Sequence, residues 1–488
     1  MTILGFLAFA VPFGVYVASL WPGVDLWDTA ELQTVPYILG IPHPTGFPVY
    51  VLAGWVWSHV VLVGDVAYRM NLFSAFSISL AALALFGAVV TLEAEPLFAF
   101  GAALVFAFAT TTWTHAIRAE VHTFALALVG LGFWAALRWW RAGDGRMLVA
   151  AALAGGLAVG AHSGMVLVVP GIGLVALARR PGVRRASVAL ACAAAVAVAA
   201  YAYLPIRSAI VTAERRDPTL ALGIAPGRPF WDNDHPSSPA GFHQEVSGGE
   251  FGATGALAKL LDTHVLAAVP SEYINEAEED LSLGVLVLAL IGVVILARRT
   301  PLVAAGVFLA GALPVLFVLA YTVESDVKRY FLPSYWAIAF FLALGVDLLA
   351  RGGMGRAPRA VIALITGFFL YVAGADVYGG RDRLVYSHGT AQPVIDRVIQ
   401  ATPNNAILVS PWLYATALAY GAYVEHDLGD RIVVTGWSGD YLQLYPVWLR
   451  TRPIVFVTDE AVSIPGYTIT NIEPEQIRPQ IFRLEKVR

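Results

Sequence analysis

GVDLWDTAELQTVPYILGIPHPTGFPVYVLAG, residues 23–54, decides how the rest of the chain is read. It follows a long apolar segment and does not continue it. It holds three acids (Asp25, Asp28, Glu31), one histidine and four prolines, with no lysine or arginine. Asp28 and Glu31 are three apart, so a helix starting here puts both carboxylates on one face. HPTGFP, residues 43–48, cannot be regular helix, because Pro44 and Pro48 fix φ and lack N–H groups. A plainer reading stands beside this one. Asp-x-x-Glu ahead of an apolar run is also a capping-box-like start. Asp28 would then cap a helix over roughly residues 29–35, and Glu31 would favour its positive N-terminal dipole.

The surroundings of this stretch are apolar. Of 488 residues, 58% are hydrophobic and 14% charged, with mean hydropathy +0.68. A soluble domain carries about 25% charged residues, so the expected class is an integral membrane protein. The net charge of −4 gives no signal for nucleic acid, and none is expected as a partner. The single cysteine, Cys192, excludes intrachain disulfides and cysteine-based metal sites. The first apolar stretch lacks a small-residue cleavage pattern and is expected to remain as a span.

Hydropathy predicts eleven spans, near residues 2–20, 69–92, 97–114, 121–140, 147–162, 165–178, 186–206, 281–297, 301–321, 331–350 and 359–375. Residues 48–63 are apolar but short and aromatic, and read as an interfacial or re-entrant helix. With the N-terminus in the cytoplasm, twelve arginines fall in cytoplasmic loops: 138, 141, 146, 179, 180, 184, 185, 298, 299, 351, 356 and 359. That agrees with the positive-inside rule. The tail alternates helix and strand and reads as a small α/β domain. The expected architecture is an α-helical multi-pass membrane protein of about 11 spans with a small C-terminal extracytoplasmic α/β domain. The expected division is 1–378, with outer loops 21–68 and 207–280, and 379–488.

On this topology the polar residues at outer span ends converge. They are Asp28, Glu31, His43, Arg69, Arg118, Glu120, His122, His162, Arg207, Asp326, Arg329 and Tyr330, together with Asn71, His115 and Glu324. Ionisable groups at membrane depth are costly and usually have partners or a task. Taken singly, snorkelling and ordinary ion pairs account for each of them. Taken together, the outer loops mix acids, histidines and arginines, while the inner loops carry arginines. Such a pocket suits a lipid-linked phosphate bound by arginine and histidine, with the lipid tail left in the bilayer. A nearby carboxylate can take a proton from an attacking hydroxyl. The competing reading is a transporter or flippase of a lipid-linked or anionic substrate. Its signature would be paired broken helices and internal repeats, neither of which the sequence displays. Two carboxylates and a histidine lie close together, but at no recognised ligand spacing, so no metal and no cofactor are expected.

WDTAELQTVPYILGIPHPTGFPVYVLAGW followed by AYRMNLFSA resembles the amino-terminal signature of a family of multi-pass O-mannosyltransferases. The pattern is met by Asp28, Glu31, Leu32, Leu39, Gly40, Ile41, His43, Pro44, Gly46, Phe47, Pro48, Tyr50, Arg69, Asn71 and Leu72. Weaker echoes are Glu120-Val-His-Thr-Phe, His162, YLPIRS with WDNDHPSSPAGF, and YFLPSY at 330–335. The resemblance implies the C-type glycosyltransferase fold and a polyprenyl-phosphate sugar donor, with mannose the candidate sugar. It implies Asp28 as base and Glu31 as a second essential acid, with Arg118, His162, Arg207 and Arg329 as candidates for the donor phosphate. The acceptor is then a protein or cell-envelope glycan hydroxyl on the extracytoplasmic side.

Overall fold

The structure is a computed structural model, and it describes residues 3–249, 273–320, 327–351, 390–472 and 477–486. Its helices in chain order begin with α1 (Ile3–Ala18), α2 (Trp27–Ile38), α3 (Pro48–Val60), α4 (Val66–Thr91), α5 (Pro96–Phe108) and α6 (Thr110–Ala116). There follow α7 (Val121–Ala142), α8 (Gly145–Ala161), α9 (Val169–Leu177), α10 (Val183–Tyr201), α11 (Tyr203–Ala213) and α12 (Pro239–Ser247). The last are α13 (Tyr273–Leu281), α14 (Leu283–Arg299), α15 (Pro301–Ala320), α16 (Leu332–Arg351), α17 (Gln392–Ala401), α18 (Trp412–Tyr423) and α19 (Tyr445–Trp448). Helices stand at ten of the eleven expected spans, and the eleventh, near 359–375, lies outside the described residues.

The chain is an integral multi-pass membrane protein. Among the described residues, five helical stretches are long and apolar enough to cross a membrane, or up to seven if each bent pair counts as one. This is fewer than the expected eleven, in part because α1 and α8, with 16 and 17 residues, are short for a full crossing. Residues 48–60 form a helix of 13 residues, also short for a span.

Among the described residues two helix pairs are bent: α5 with α6 by 69° and α13 with α14 by 108°. The apolar pattern of the sequence predicts no broken helices, and the difference lies in single residues. Ala109 and Ser282 leave the helical region at ψ 136° and ψ 150°, and hydropathy does not register a one-residue break. The Thr111 N–H, in the first turn of α6, donates to Asp280 Oδ2 of α13 at 3.2 Å. An orphan donor at a helix start inside an apolar protein is thereby satisfied.

The chain groups into two compact units. One comprises Met1–Leu20, Leu72–Tyr201 and Ser247–His388; the other comprises Trp21–Asn71, Ala202–Val246 and Gly389–Arg488. This grouping cuts across the expected division at 378/379, a boundary outside the described residues. In the first unit, buried aromatic side chains spend their polar atoms on backbone carbonyls. Tyr16 donates to Ala107 O at 2.5 Å, Trp336 to Ala81 O at 3.0 Å and Trp139 to Ala176 O at 3.0 Å. Each bond satisfies a donor that could not otherwise be buried without a penalty.

The second unit holds a five-stranded sheet of β1 (Ile407–Ser410), β2 (Ile432–Thr435), β3 (Ile454–Thr458), β4 (Tyr467–Asn471) and β5 (Gln480–Lys486). The order is β2-β1-β3-β5-β4. β2, β1 and β3 run parallel, with Leu408 opposite both Val433 and Val455; β5 is antiparallel to β3 and β4. The parallel strands are apolar runs almost wholly buried, while β4 alternates half-buried and exposed. That is the burial expected of parallel strands covered on both faces and of an antiparallel strand at the sheet edge. The tail alternates helix and strand as the sequence leads one to expect, with only the four-residue α19 between β2 and β3.

Candidate active site

The described candidate site residues fall into two clusters, one in each unit. In the second unit the centre is α2. Its N-cap is Leu26, with no side-chain capping bond, so Asp28 is the second helical residue rather than the cap. Its carboxylate still favours the positive helix end. Asp28 is half-buried, and its Oδ1 accepts from Trp412 Nε1, at the start of α18, at 2.9 Å. Trp412 stacks on Phe230 with ring centroids 5.6 Å apart and nearly parallel planes.

Glu31, one turn on, is fully buried. It accepts from the backbone N–H of His43 at 2.8 Å and pairs with His43 Nδ1. One carboxylate thus grips both ends of the residue that opens HPTGFP. Burial pushes the Glu31 carboxyl up, while the charge and hydrogen bonds of His43 oppose the rise.

The HPTGFP loop closes over a second acid. Gly46 sits at φ +77°, and a Cβ there would meet Leu204 at 2.7 Å and Glu245 Oε1 at 3.0 Å. Glu245, on α12, is also fully buried. Its Oε2 accepts from Asn233 Nδ2 at 3.0 Å. Burial drives its carboxyl well above the usual range; Asn233 and His43 oppose this, and Asp234 and Glu31 reinforce it. A carboxyl whose pKa is raised on folding stabilises the fold below its unfolded pKa, and that contribution is lost as pH rises through the folded value. Stability should therefore decline with rising pH, in a window that opens at the ordinary glutamate value and extends upward. Glu245→Gln should flatten that decline in a chemical-denaturation series run against pH. Parallel pH profiles of variant and wild type would contradict the assignment.

Arg69 and Arg207 serve the backbone here. Arg69 donates to Ser58 O at 3.0 Å and to Gly64 O at 2.9 Å, closing the turn after α3. Arg207 donates to Leu39 O and to Ile38 O, and Tyr203 donates to Leu39 O and Gly40 O, each at 2.9 Å. These carbonyls end α2, where Leu39 turns left-handed at φ 52° and Gly40 passes so close to Phe230 O that a Cβ would lie 1.9 Å from it. Tyr203→Phe should lower stability by about 1 kcal/mol, because its single hydroxyl proton is shared between the two carbonyls. An unchanged melting midpoint would sink that role.

The first unit brings together Glu120, His122, His162, Arg329 and Tyr330. Glu120 caps α7: it accepts from the His122 N–H at 3.1 Å and pairs with His122 Nδ1 at 2.7 Å. Its own N–H donates to Ser74 Oγ at 2.9 Å. Burial pushes the Glu120 carboxyl up, but the hydrogen bond to His122 and the charges of His122, Arg329 and His115 outweigh it and hold the group well below its ordinary value. The His122 ring lies 4.2 Å from that of His162 and 4.7 Å from that of Tyr330. The Arg329 guanidinium sits 5.8 Å over Tyr330. Arg118 is half-buried in the turn before Glu120. Asp326 lies outside the described residues.

Sequence reasoning missed Trp412, Glu245, Asn233 and Tyr203. Glu245 and Asn233 belong to the polar run 231–251, which the sequence marks as unusual without assigning a role. Nothing local connects Trp412 to Asp28, 384 positions earlier.

Residues 28–185 match the family profile described as the Protein O-mannosyl-transferase TMEM260 N-terminal domain. The Protein O-mannosyl-transferase TMEM260 of Mus musculus is 34% identical over 123 residues, 25% of this chain and 18% of that protein. Its Dictyostelium discoideum counterpart is 26% identical over 126 residues, 25% of this chain and 15% of that protein. The alignment thus spans less than a fifth of the length of these relatives. Among solved structures, ArnT from Cupriavidus metallidurans in the apo state superposes with a TM-score of 0.52, covering 98% of this chain and 97% of that one at 13% identity. The same protein bound to undecaprenyl phosphate gives 0.51. The Archaeoglobus fulgidus oligosaccharyltransferase gives 0.53, covering 93% of this chain and 68% of that one at 13% identity. At such identity the likeness is one of fold. The resemblance carried by the N-terminal motif therefore holds: residues 28–185 match the TMEM260-type O-mannosyltransferase N-terminal domain, in a chain whose fold is similar to that of ArnT.

Proposed function

We propose that the protein is a membrane glycosyltransferase that moves a sugar, with mannose the first candidate, from a polyprenyl-phosphate donor to an acceptor hydroxyl on the extracytoplasmic face. The N-terminus is cytoplasmic and the sheet-bearing tail extracytoplasmic in this reading. Asp28 takes the proton from the acceptor hydroxyl. The freed oxygen attacks the anomeric carbon from the face opposite the phosphate. The bond from that carbon to the phosphate oxygen breaks with inversion, and polyprenyl phosphate leaves. Arg118, His162, Arg329 and Tyr330 are the proposed partners of the phosphate, whose developing charge cations stabilise, while Arg207 is spent on the carbonyls that end α2. Glu31 and His43 fix the loop that frames the acid, and Arg69 holds the turn beneath it.

The observation that carries the reading is the half-buried Asp28 on the first turn of α2, oriented by Trp412 and set beside the Glu31–His43 lock. It lies within a stretch matching an O-mannosyltransferase family. The bent helix pairs favour the transporter reading to one extent: broken helices recur in transporters. The decisive experiment is transfer from radiolabelled polyprenyl-phosphate-mannose to an envelope fraction by purified protein in nanodiscs. Other polyprenyl-phosphate sugars follow if mannose is not moved. Donor flux across sealed vesicles without any transfer would favour the transporter.

A further inference from the structure

A groove that the proposed reaction does not use runs along the α7–α8 hairpin of the first unit. Leu128, Leu131, Ala135 and Arg138 of α7 line one side of it. Met147, Ala150, Ala154 and Leu157 of α8 line the other. Both sets follow the spacing i, i+3, i+7, i+10, so each is one stripe of its helix. A tight turn joins the two helices, which puts Arg138 and Met147 at the same end of the groove. Small residues make the space. Gly132 lets the helices approach, since a Cβ there would lie 3.6 Å from the Ala154 Cβ, and Ala135 and Ala150 leave room beside the leucines. Trp134, also in the lining, packs so closely on Gly87 of α4 that a Cβ there would come within 2.3 Å of the indole. The cavity measures about 450 Å³. Leu153, also in its lining, is 37% exposed, so the groove opens on the outside of a helix that can cross a membrane.

Length and charge both point to one occupant. From Leu128 to Arg138 the groove follows α7 for about 15 Å, half the thickness of a bilayer's hydrocarbon core. One acyl chain of one leaflet therefore fits its length. Arg138 is the single charged residue of the lining. Other arginines at this end are committed: Arg141 pairs with Glu93, Arg179 donates to Trp140 O and Arg141 O, and the Arg185 guanidinium lies over Trp139. Asp144 caps α8 by accepting from the backbone N–H of Arg146. Among the described residues no carboxylate pairs with the side chain of Arg138 or Arg146, and both are exposed. Lipid tails are as apolar as the groove, so tail contact alone selects no lipid class. Two open arginines at a membrane surface select a negative headgroup. The donor lipid is a poor match. His122, in the cluster assigned to its phosphate, stands about 24 Å from Arg138 along α7 and about 180° round the helix from the groove stripe.

We propose that the α7–α8 groove holds one acyl chain of an anionic glycerophospholipid, with Arg138 as the partner of its headgroup and Arg146 beside it. On the proposed topology this lipid belongs to the cytoplasmic leaflet. The site is independent of the sugar-transfer reading, and its test involves neither donor sugar nor acceptor.

The test is native mass spectrometry of the full-length protein, titrated with dioleoyl phosphatidylglycerol or dioleoyl phosphatidylcholine. Wild type should retain one phospholipid, with the anionic one preferred. Arg138→Gln should lower that preference about fivefold, the share of one arginine at a membrane surface. Arg138 is exposed, so this variant leaves the helix packing intact. Ala150→Leu fills the groove and should lower retention of both lipids. The proposal is overturned if wild type retains both lipids equally, or if Arg138→Gln keeps the full preference. It is likewise overturned if Ala150→Leu retains as much lipid as wild type. Displacement of the phospholipid by equimolar undecaprenyl phosphate would overturn it too, and would assign the groove to the donor's tail.

Discussion

Asp28→Asn should cut sugar transfer by about 10²–10⁴-fold, the usual contribution of a general base, with donor binding unchanged. The substitution is nearly isosteric. Asparagine keeps an oxygen to accept from Trp412 Nε1, so the contact at 2.9 Å survives in the wild-type geometry. Leu26, not residue 28, is the cap of α2, so loss of a side-chain cap does not confound the result. The measurement pairs single-turnover transfer with equilibrium binding of the polyprenyl-phosphate donor in nanodiscs. Equal transfer by variant and wild type would return Asp28 to a helix-end charge. Loss of transfer together with loss of donor binding would instead make it a binding residue.

His43→Ala should be the most destabilising single change in the second unit, lowering stability by about 3 kcal/mol. The figure sits at the low end for a broken buried pair, because the backbone N–H of residue 43 still donates to Glu31 Oε1. What is lost is the ring nitrogen facing a carboxyl with no exposed surface. Glu31→Gln should in turn rescue part of the loss, since a neutral amide no longer leaves a charge stranded. Coupling between the two sites of about 1–3 kcal/mol is expected from a double-mutant cycle on melting in detergent. Additive effects would mean that the pair does not act as one lock. Transfer should fall with stability here, whereas for Asp28→Asn it falls alone; the two experiments thereby separate framing from chemistry.

Much of the molecule was legible in the chain itself. Composition and apolar run length determined the membrane class, because a bilayer core demands long stretches of apolar side chain with few charges. The tail's order of strands and helices was legible because its parallel strands are short apolar runs bounded by turn residues. The N-terminal motif was legible because its prolines, glycines and charges stand close together in sequence. Spacing alone paired Asp28 with Glu31 on one helix.

Tertiary structure decided the rest. Which residue grips HPTGFP is settled by Glu31 reaching His43 through a fold-back of twelve residues. That Arg69 and Arg207 hold backbone carbonyls, rather than lie along an open surface, follows from where α2 and α3 end. Trp412 reaches Asp28 across 384 positions, and Glu245 enters beneath the loop from α12. The two helix breaks turn on the backbone angles of Ala109 and Ser282, which hydropathy averages away. Local pattern encodes which side chains must leave water. It does not encode which distant donor meets which acceptor, because those pairings form only when remote segments pack and every buried polar group must find a partner.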